Sequence, residues 1–209
     1  MLYCPPAFRV EELASLHGLM RAARLANVVT FGANGLHASP LPLFLDEKEG
    51  PFGTLYGHFA RANAQWKDAP LSDALAIFMG PDAYVSPSWY ASKKEHGKVV
   101  PTWNYSAVHA RGPIEFFDDE ARLRDVVERL TNLHEAERPE VWSVSDAPAP
   151  FLRGQLRGII GLRLPITGLE GKNKMSQNRS AADRAGVAEG MAGSSHASER
   201  AVAGKIQVE

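Results

Sequence analysis

The sequence predicts a mainly β protein with flanking helices, in which the strands close into a barrel. About six or seven short segments rich in β-branched, aromatic or alternating apolar residues precede one final strand-like segment. Short turns separate these segments, so neighbouring strands are expected to pair antiparallel. Helical periodicity is confined to the front, the middle and the tail of the chain. An antiparallel sheet of this kind avoids open edges by closing on itself.

Each predicted element follows from a local pattern. Strands are predicted where apolar or β-branched residues are bounded by Gly, Pro or Asn, and helices where apolar residues share one face. In chain order, the strands are expected over 27–31, 37–45, 55–60, 70–79, 82–88, 99–110, 112–117 and 158–166. The helices are expected over 10–26, 118–138, 151–157, 180–191 and 196–208.

Proline and glycine set the element boundaries in the first half. Pro5 and Pro6 argue against a helix in the N-terminal arm, which is expected to be extended. An Asn-Gly pair predicts a hairpin between the first two strands. Pro40 and Pro42 predict that the return strand bends or lies at an edge of its sheet.

Similar signals divide the second half. Gly80 and Pro81 are expected to end the apolar strand before them, and Asp118 or Asp119 is expected to cap the long middle helix. Residues 168–179 are interpreted as a polar, basic segment. We therefore predict one domain over 1–179 and a helical C-terminal extension over 180–209.

Composition limits the class of protein. Of the 209 residues, 44% are hydrophobic and 22% are charged, which is ordinary for a globular protein. The net charge of −1 gives no overall cationic field for nucleic acid. Cys4 is the only cysteine, so no internal disulfide can form. Neither a signal peptide nor an apolar run long enough to cross a membrane is evident, so we expect a cytoplasmic protein.

Two stretches hold the candidate binding residues. Arg61 and Asn63 follow the strand that ends near residue 60, where a guanidinium and a carboxamide suit a phosphate or carboxylate. The second stretch mixes small polar groups with broad rings: Ser86, Ser88, Trp89, Tyr90, Thr102, Trp103, Asn104 and Tyr105. This mixture fits a pocket for a flat, polar-edged anion. A β core with hydrogen-bonded Trp and Tyr side chains explains the same pattern, and the residues alone leave both interpretations open.

Five ordered motifs are similar to those of one known family. MLYCPPAF, LYGHFARANAQW, FMGPDAYVSPSWY, VPTWNYSAVHARG and KMSQNR resemble the PaiB family, whose members are described as FMN-binding negative transcriptional regulators. The resemblance implies a flavin-binding split barrel of the pyridoxamine-phosphate-oxidase type. It also implies a homodimer with FMN at the subunit interface.

The resemblance suggests a role for each candidate residue. Arg61 would be the basic member of the turn that grips the FMN phosphate, although the Ser or Lys usual in that turn is absent. Lys174 and Gln177 are expected to contact flavin or substrate. The complete predicted cofactor-binding set is His58, Arg61, Asn63, Ser86, Ser88, Trp89, Thr102, Trp103, Asn104, Lys174 and Gln177. We predict no catalytic side chain and no metal ligand.

Three functions are consistent with this reading. The first is an FMN-binding, PaiB-like negative transcriptional regulator. The alternative is an FMN-dependent oxidoreductase that acts on a small substrate, since the cofactor itself carries out the redox chemistry. A third is a haem-binding or haem-degrading split barrel. Direct DNA binding has no support from the sequence itself, because it contains no basic recognition helix.

Overall fold

A computed structural model describes residues 2–208 and contains ten strands and six α-helices within that range. The strands are β1 (Arg9–Val10), β2 (Ala26–Gly32), β3 (Gly35–Leu41), β4 (Leu43–Asp46), β5 (Thr54–Ala60), β6 (Ala74–Val85), β7 (Thr102–Gly112), β8 (Glu115–Phe117), β9 (Ile159–Pro165) and β10 (Gly168–Lys174). The helices are α1 (Leu13–Ala22), α2 (Ser92–His96), α3 (Glu120–Glu135), α4 (Ala149–Leu156), α5 (Ala181–Ala192) and α6 (Ala197–Ala203).

The mainly β fold class with flanking helices is confirmed, but the expected closure of the sheet is not. Over residues 2–208 the strands belong to two antiparallel sheets, and neither closes on itself. The chain divides into two compact units. The first unit comprises Met1–Leu19, Met79–Val108 and Glu170–Glu209, and the second comprises Met20–Phe78 and His109–Leu169.

The first unit contains strands in the order β1-β10-β7-β6 together with α5 and α6. Strand β1 pairs with β10 through Arg9 opposite Lys172. The C-terminal helices contribute to its core, which also includes residues of β6 and the turn after β10. This core consists of Ala83, Val85, Tyr90, Met175, Val187, Met191, Val202 and Ile206. The helical tail is therefore part of this unit's apolar core.

The second unit contains the pairs β6-β2-β3 and the four-stranded order β4-β5-β9-β8. Leu123, Val126 and Leu130 form the buried face of α3 and pack with Phe44 of β4. Asp119 caps α3, because its carboxylate accepts the Arg122 N–H at 2.9 Å. This interaction confirms one of the two predicted caps.

Three predicted boundaries are wrong for identifiable reasons. The strand expected over 37–45 is two strands, because the chain breaks at Pro42 and continues in a different sheet. The strands expected over 70–79 and 82–88 are one strand, since Gly80 and Pro81 stay extended within β6. The polar segment 168–179 begins with strand β10, whose charged side chains hid its strand character.

The N-terminal arm also differs from the prediction. It contains a short 3-10 helix, Pro6–Phe8, which the prolines permit because Pro6 stands at the first helical position. The short helix α2 was not among the helices predicted from the sequence. Residues 2–208 include no helix with both the length and the apolar character that a membrane span requires. The boundary between 179 and 180 stays a prediction.

Candidate functional site

His58 lies on β5 of the second unit, directly opposite Gly161 of β9. Its Nδ1 atom is buried and has no hydrogen-bond partner in the described structure. Burial lowers the pKa of His58, because the charged imidazolium would lose its hydration. This residue therefore offers a neutral imidazole with one unused nitrogen, consistent with a ligand contact.

Arg61 directly follows β5, and its side chain already has protein partners. Nε donates to the Arg157 carbonyl at 2.7 Å, and Nη1 lies 3.6 Å from the Asp118 carboxylate. The Arg61 backbone N–H donates to Gly158 O at 2.8 Å. An incoming phosphate would therefore compete with Asp118 for the guanidinium.

Asn63 has a structural role in the loop after β5. Its amide donates to Ser39 Oγ at 2.9 Å, and its side-chain oxygen accepts the Gln65 N–H at 2.9 Å. Gln65 is buried and donates to the Val28 carbonyl and to Thr30 Oγ1. These bonds fix the loop to strands β2 and β3. The side chain of Asn63 is thus occupied by local hydrogen bonds that shape the loop.

In the first unit, β7 and β10 bring several predicted residues together. Lys174 Nζ donates to Thr102 Oγ1 and to the Trp103 carbonyl, the latter at 2.8 Å. Trp103 exposes 53% of its surface and makes an edge-to-face contact with Tyr84 at a centroid distance of 6.1 Å. Lys174 is thus bonded to the backbone of Trp103, and the partly exposed Trp103 and Tyr84 rings contact each other in the same unit. That combination suits a flat ligand with an anionic group.

Asn104 and Ser176 form a buried polar pair beside these residues. The Asn104 amide donates to Ser176 Oγ at 3.0 Å, and the hydroxyl donates back to Asn104 Oδ1 at 3.2 Å. Ser176 has φ +64°, in the left-handed region that non-glycine residues seldom adopt. The Gln177 side chain bonds the backbone at Met175 and Asn173. These bonds hold the turn after β10 in one conformation.

A second lysine, Lys172, lies two positions before Lys174 on β10. Lys172 is 5% exposed, and its Nζ atom donates to the Tyr3 carbonyl at 3.2 Å. The ammonium also lies 5.0 Å from the Tyr105 ring centroid. Within residues 2–208, neither lysine forms an ion pair with a carboxylate. Burial, Lys172 and Arg179 together lower the pKa of Lys174.

Ser86, Ser88 and Trp89 lie around the 3-10 helix Pro87–Trp89 of the same unit. Ser86 Oγ accepts the Ser88 N–H and caps this helix, while Ser88 Oγ accepts a bond from Lys93. A Cβ atom at Gly190 would lie 2.5 Å from the Trp89 indole. Trp89 therefore packs against α5, in agreement with the packing alternative for this residue.

Asp183 anchors α5 to residues before it in the first unit. This buried carboxylate accepts both the backbone N–H and the hydroxyl of Ser92 at 2.9 Å. Burial alone would raise the pKa of Asp183, but the bonds from Ser92, the bond with Ser180 and the charge of Arg179 together lower it.

Asp183→Asn is expected to lower the free energy of unfolding relative to the wild type at neutral pH, and to lower it less in acid. A carboxylate with a lowered folded-state pKa stabilises above its unfolded pKa, and that contribution disappears as the pH falls through the folded value. Urea unfolding from pH 7 to pH 3 should therefore show the wild type and Asp183→Asn converging. A difference that stays constant with pH would contradict this role. Glu189→Gln, which removes an exposed carboxylate of the same helix and leaves the Ser92 bonds in place, is the control.

The predicted cofactor-binding set did not include Lys172 or Ser176, which lie close to several of its members. The alternation of Lys172 and Lys174 could have indicated a strand with two cations on one face. The left-handed conformation of Ser176 has no signal in the sequence, because Gly or Asn usually occupies such positions.

Comparisons with known proteins identify a family and a fold. The family described as "Putative FMN-binding domain" matches residues 2–168. The chain is 31% identical to protease synthase and sporulation protein PAI 2 of Bacillus subtilis, over 90% of this chain and 88% of that protein. It is 38% identical to an uncharacterised protein of Aspergillus fumigatus, over 74% of this chain and 76% of the relative.

Two solved structures share the fold at low sequence identity. The flavocytochrome Anf3 from Azotobacter vinelandii aligns with a TM-score of 0.60 at 15% identity, over 80% of this chain and 69% of that one. The FAD and heme binding protein from Mycobacterium smegmatis aligns with a TM-score of 0.59 at 15% identity, over 79% and 73%. The predicted split-barrel fold class is thereby confirmed.

Proposed function

We propose that this chain is a flavoprotein with a PaiB-like regulatory role. It belongs to the family described as "Putative FMN-binding domain", as its PaiB-like motifs predicted. FMN is the cofactor that this family assigns. When bound, FMN supplies hydride and electron transfer. The residues described above fit such a group in two respects, one in each unit.

The lysine pair on β10 is the observation that supports this proposal most strongly. Two ammonium groups on one face, without a carboxylate partner in the described chain, favour an anion nearby. Lys174 is held by Thr102 and by the Trp103 carbonyl, which orients its charge. We infer that Lys174 binds an anionic group of FMN, with Trp103 and Tyr84 beside the flat ring.

The second unit contains the alternative phosphate-binding residues that the resemblance predicted. Arg61 carries the charge among them, and the unpartnered Nδ1 of His58 is available for a further hydrogen bond. Asp118 lowers the expected contribution of Arg61, since the guanidinium already has an acidic neighbour. We therefore place the stronger anion contact at Lys174.

The visible spectrum of the freshly purified protein tests whether FMN is bound. Bound FMN is expected to give a yellow protein, and mass spectrometry of the released compound should identify FMN. Protein without cofactor should regain the same spectrum when FMN is added. A colourless protein that neither retains nor rebinds FMN would contradict the proposal.

We propose a homodimer on the basis of an exposed apolar surface in the second unit. Phe31 and Leu36 face each other across the β2–β3 hairpin and are 47% and 75% exposed. Leu71, whose N–H donates to the Phe31 carbonyl, is 67% exposed. A second copy would cover these side chains. Light scattering coupled to size exclusion should give twice the chain mass, and a monomer would contradict this.

The proposed regulatory role requires the protein to bind either DNA or another partner. The last helix, α6, has seven residues with Arg200 as a basic member, so it offers little for a DNA groove. A gel shift with the chain's own upstream DNA at moderate salt tests direct binding. Salt-sensitive binding would support it, and its absence would assign the regulation to a protein or small-molecule partner. The cytoplasmic location stays a prediction of the sequence.

One observation favours the oxidoreductase alternative. Trp103 and Tyr84 remain partly exposed and in contact with each other, and so leave a flat surface open to a small substrate. Reduction of the bound flavin by a nicotinamide cofactor, followed by reoxidation with candidate acceptors, tests this function. Turnover with an organic acceptor would favour the enzyme, and reoxidation by oxygen alone would favour a binding protein.

A further inference from the structure

The second unit contains a cavity of about 610 Å³ that the flavin proposal does not use. The end of α1, strand β4 and the end of α3 form its walls, and Phe78 of β6 contributes to them. Its volume lies in the range typical of small-molecule sites. Arg61 contacts Asp118, just before the start of α3, whereas the cavity lies at the far end of that helix. The length of α3, about 24 Å, lies between them.

The inner wall of the cavity is apolar. Met20, Phe44 and Phe78 line it and are between 3% and 6% exposed. Leu133 extends the apolar face of α3 by one step beyond Leu130, yet it remains 52% exposed. The reason is that Leu133 borders the cavity rather than the packed core. An apolar ligand body would cover this side chain.

Basic side chains surround the same cavity. Arg21 pairs with Glu47, which neutralises its charge. Arg24 and Arg138 also line the cavity, and neither pairs with a carboxylate elsewhere in the part of the chain described. Glu137 is the lining carboxylate that opposes them. The ends of α1 and α3 favour cations at these positions, and each guanidinium fork still has donors suited to a carboxylate.

We propose that this cavity binds an amphipathic carboxylate, with an aromatic or aliphatic body against Phe44 and Leu133 and its acid group between Arg24 and Arg138. Such a ligand matches both the apolar wall and the two guanidinium groups. Since none of the proposed flavin contacts lines this cavity, and Arg61 lies toward the other end of α3, the carboxylate acts as an effector of the flavoprotein and not as its cofactor.

Calorimetric titration of the full-length protein with 4-phenylbutyrate tests the proposal. We expect measurable binding of the carboxylate and at least about tenfold weaker binding of 4-phenylbutylamine, which carries the opposite charge. The double substitution Arg24→Gln with Arg138→Gln should weaken phenylbutyrate binding by about tenfold or more. Arg124→Gln, on the side of α3 where that residue pairs with Glu128, should leave the affinity unchanged.

Three results would overturn the assignment. They are no heat with phenylbutyrate, equal binding of the amine, or loss of phenylbutyrate binding when FMN is added, which would make this cavity the flavin site. Leu133→Asp provides a second variant, because it places a negative charge at the exposed wall with little effect on the buried core. It should abolish phenylbutyrate binding while FMN retention stays unchanged. Failure of the flavin proposal would appear separately, as a colourless protein.

Discussion

Lys174→Gln is expected to weaken FMN retention by about tenfold to a hundredfold. Glutamine keeps an N–H donor near Thr102 and the Trp103 carbonyl, but it removes the positive charge that we propose binds FMN. A hydrogen bond to a charged group contributes about 1.5–3 kcal/mol, which corresponds to this change in affinity. Quenching of FMN fluorescence on titration with cofactor-free protein measures the dissociation constant.

Two further variants make the result specific. Lys205→Gln removes an exposed cation of the tail and should leave FMN affinity unchanged. Arg61→Gln tests the second grip and should have the smaller effect, because Asp118 already neighbours that guanidinium. A larger loss for Arg61→Gln than for Lys174→Gln would move the phosphate contact to the turn after β5. All three variants should unfold at the wild-type temperature.

Gly112→Ala is expected to destabilise the protein by about 3 kcal/mol or more, at the upper end of overpacking effects. A Cβ atom at this position would lie 1.9 Å from the Pro165 carbonyl oxygen. That oxygen belongs to the backbone of β9, so a change of rotamer cannot relieve the clash. Strand β7 would have to separate from the end of β9. Urea unfolding with a shared slope measures the difference.

Gly154→Ala is the matched control, because nothing lies within 4 Å of its added Cβ. Gly154 is an exposed residue inside α4, where alanine is the better helix former. The change should stabilise by about 0.5–1 kcal/mol. Equal stability of Gly112→Ala and wild type would show that β7 and β9 can move apart without loss.

The alternation of apolar and polar side chains made the strands predictable. The sheet to which each strand belongs could not be predicted from that pattern. Residues 55–60 and 27–31 were identified correctly, since each carries a local pattern. Closure of the sheet depends on which strands meet, and that depends on contacts far apart in the sequence. Pro42 illustrates the difficulty: the return strand was expected to bend or to lie at a sheet edge. Pro42 instead separates β3 from β4, which are edge strands of different sheets.

The sequence predicted which residue types the candidate site would contain better than it predicted how those residues contact one another. Thr102, Trp103 and Lys174 do lie together, because β10 pairs beside β7. Asn63 and Trp89 carry groups typical of ligand sites, but their partners are Ser39 and a glycine face of α5. Such local hydrogen bonds and packing are invisible in a list of residue types. The cofactor assignments of all these residues remain predictions.

The pairing of β1 with β10 has a consequence for how the chain is made. The Leu2 N–H donates to Glu170, a residue 168 positions later. On the ribosome, the first strand must therefore wait several seconds or more for its neighbour, at ordinary rates of synthesis. During that interval its edge is open to chance pairing with other nascent chains. We expect slowed translation of the codons that lead up to β10 to raise the share of aggregated product.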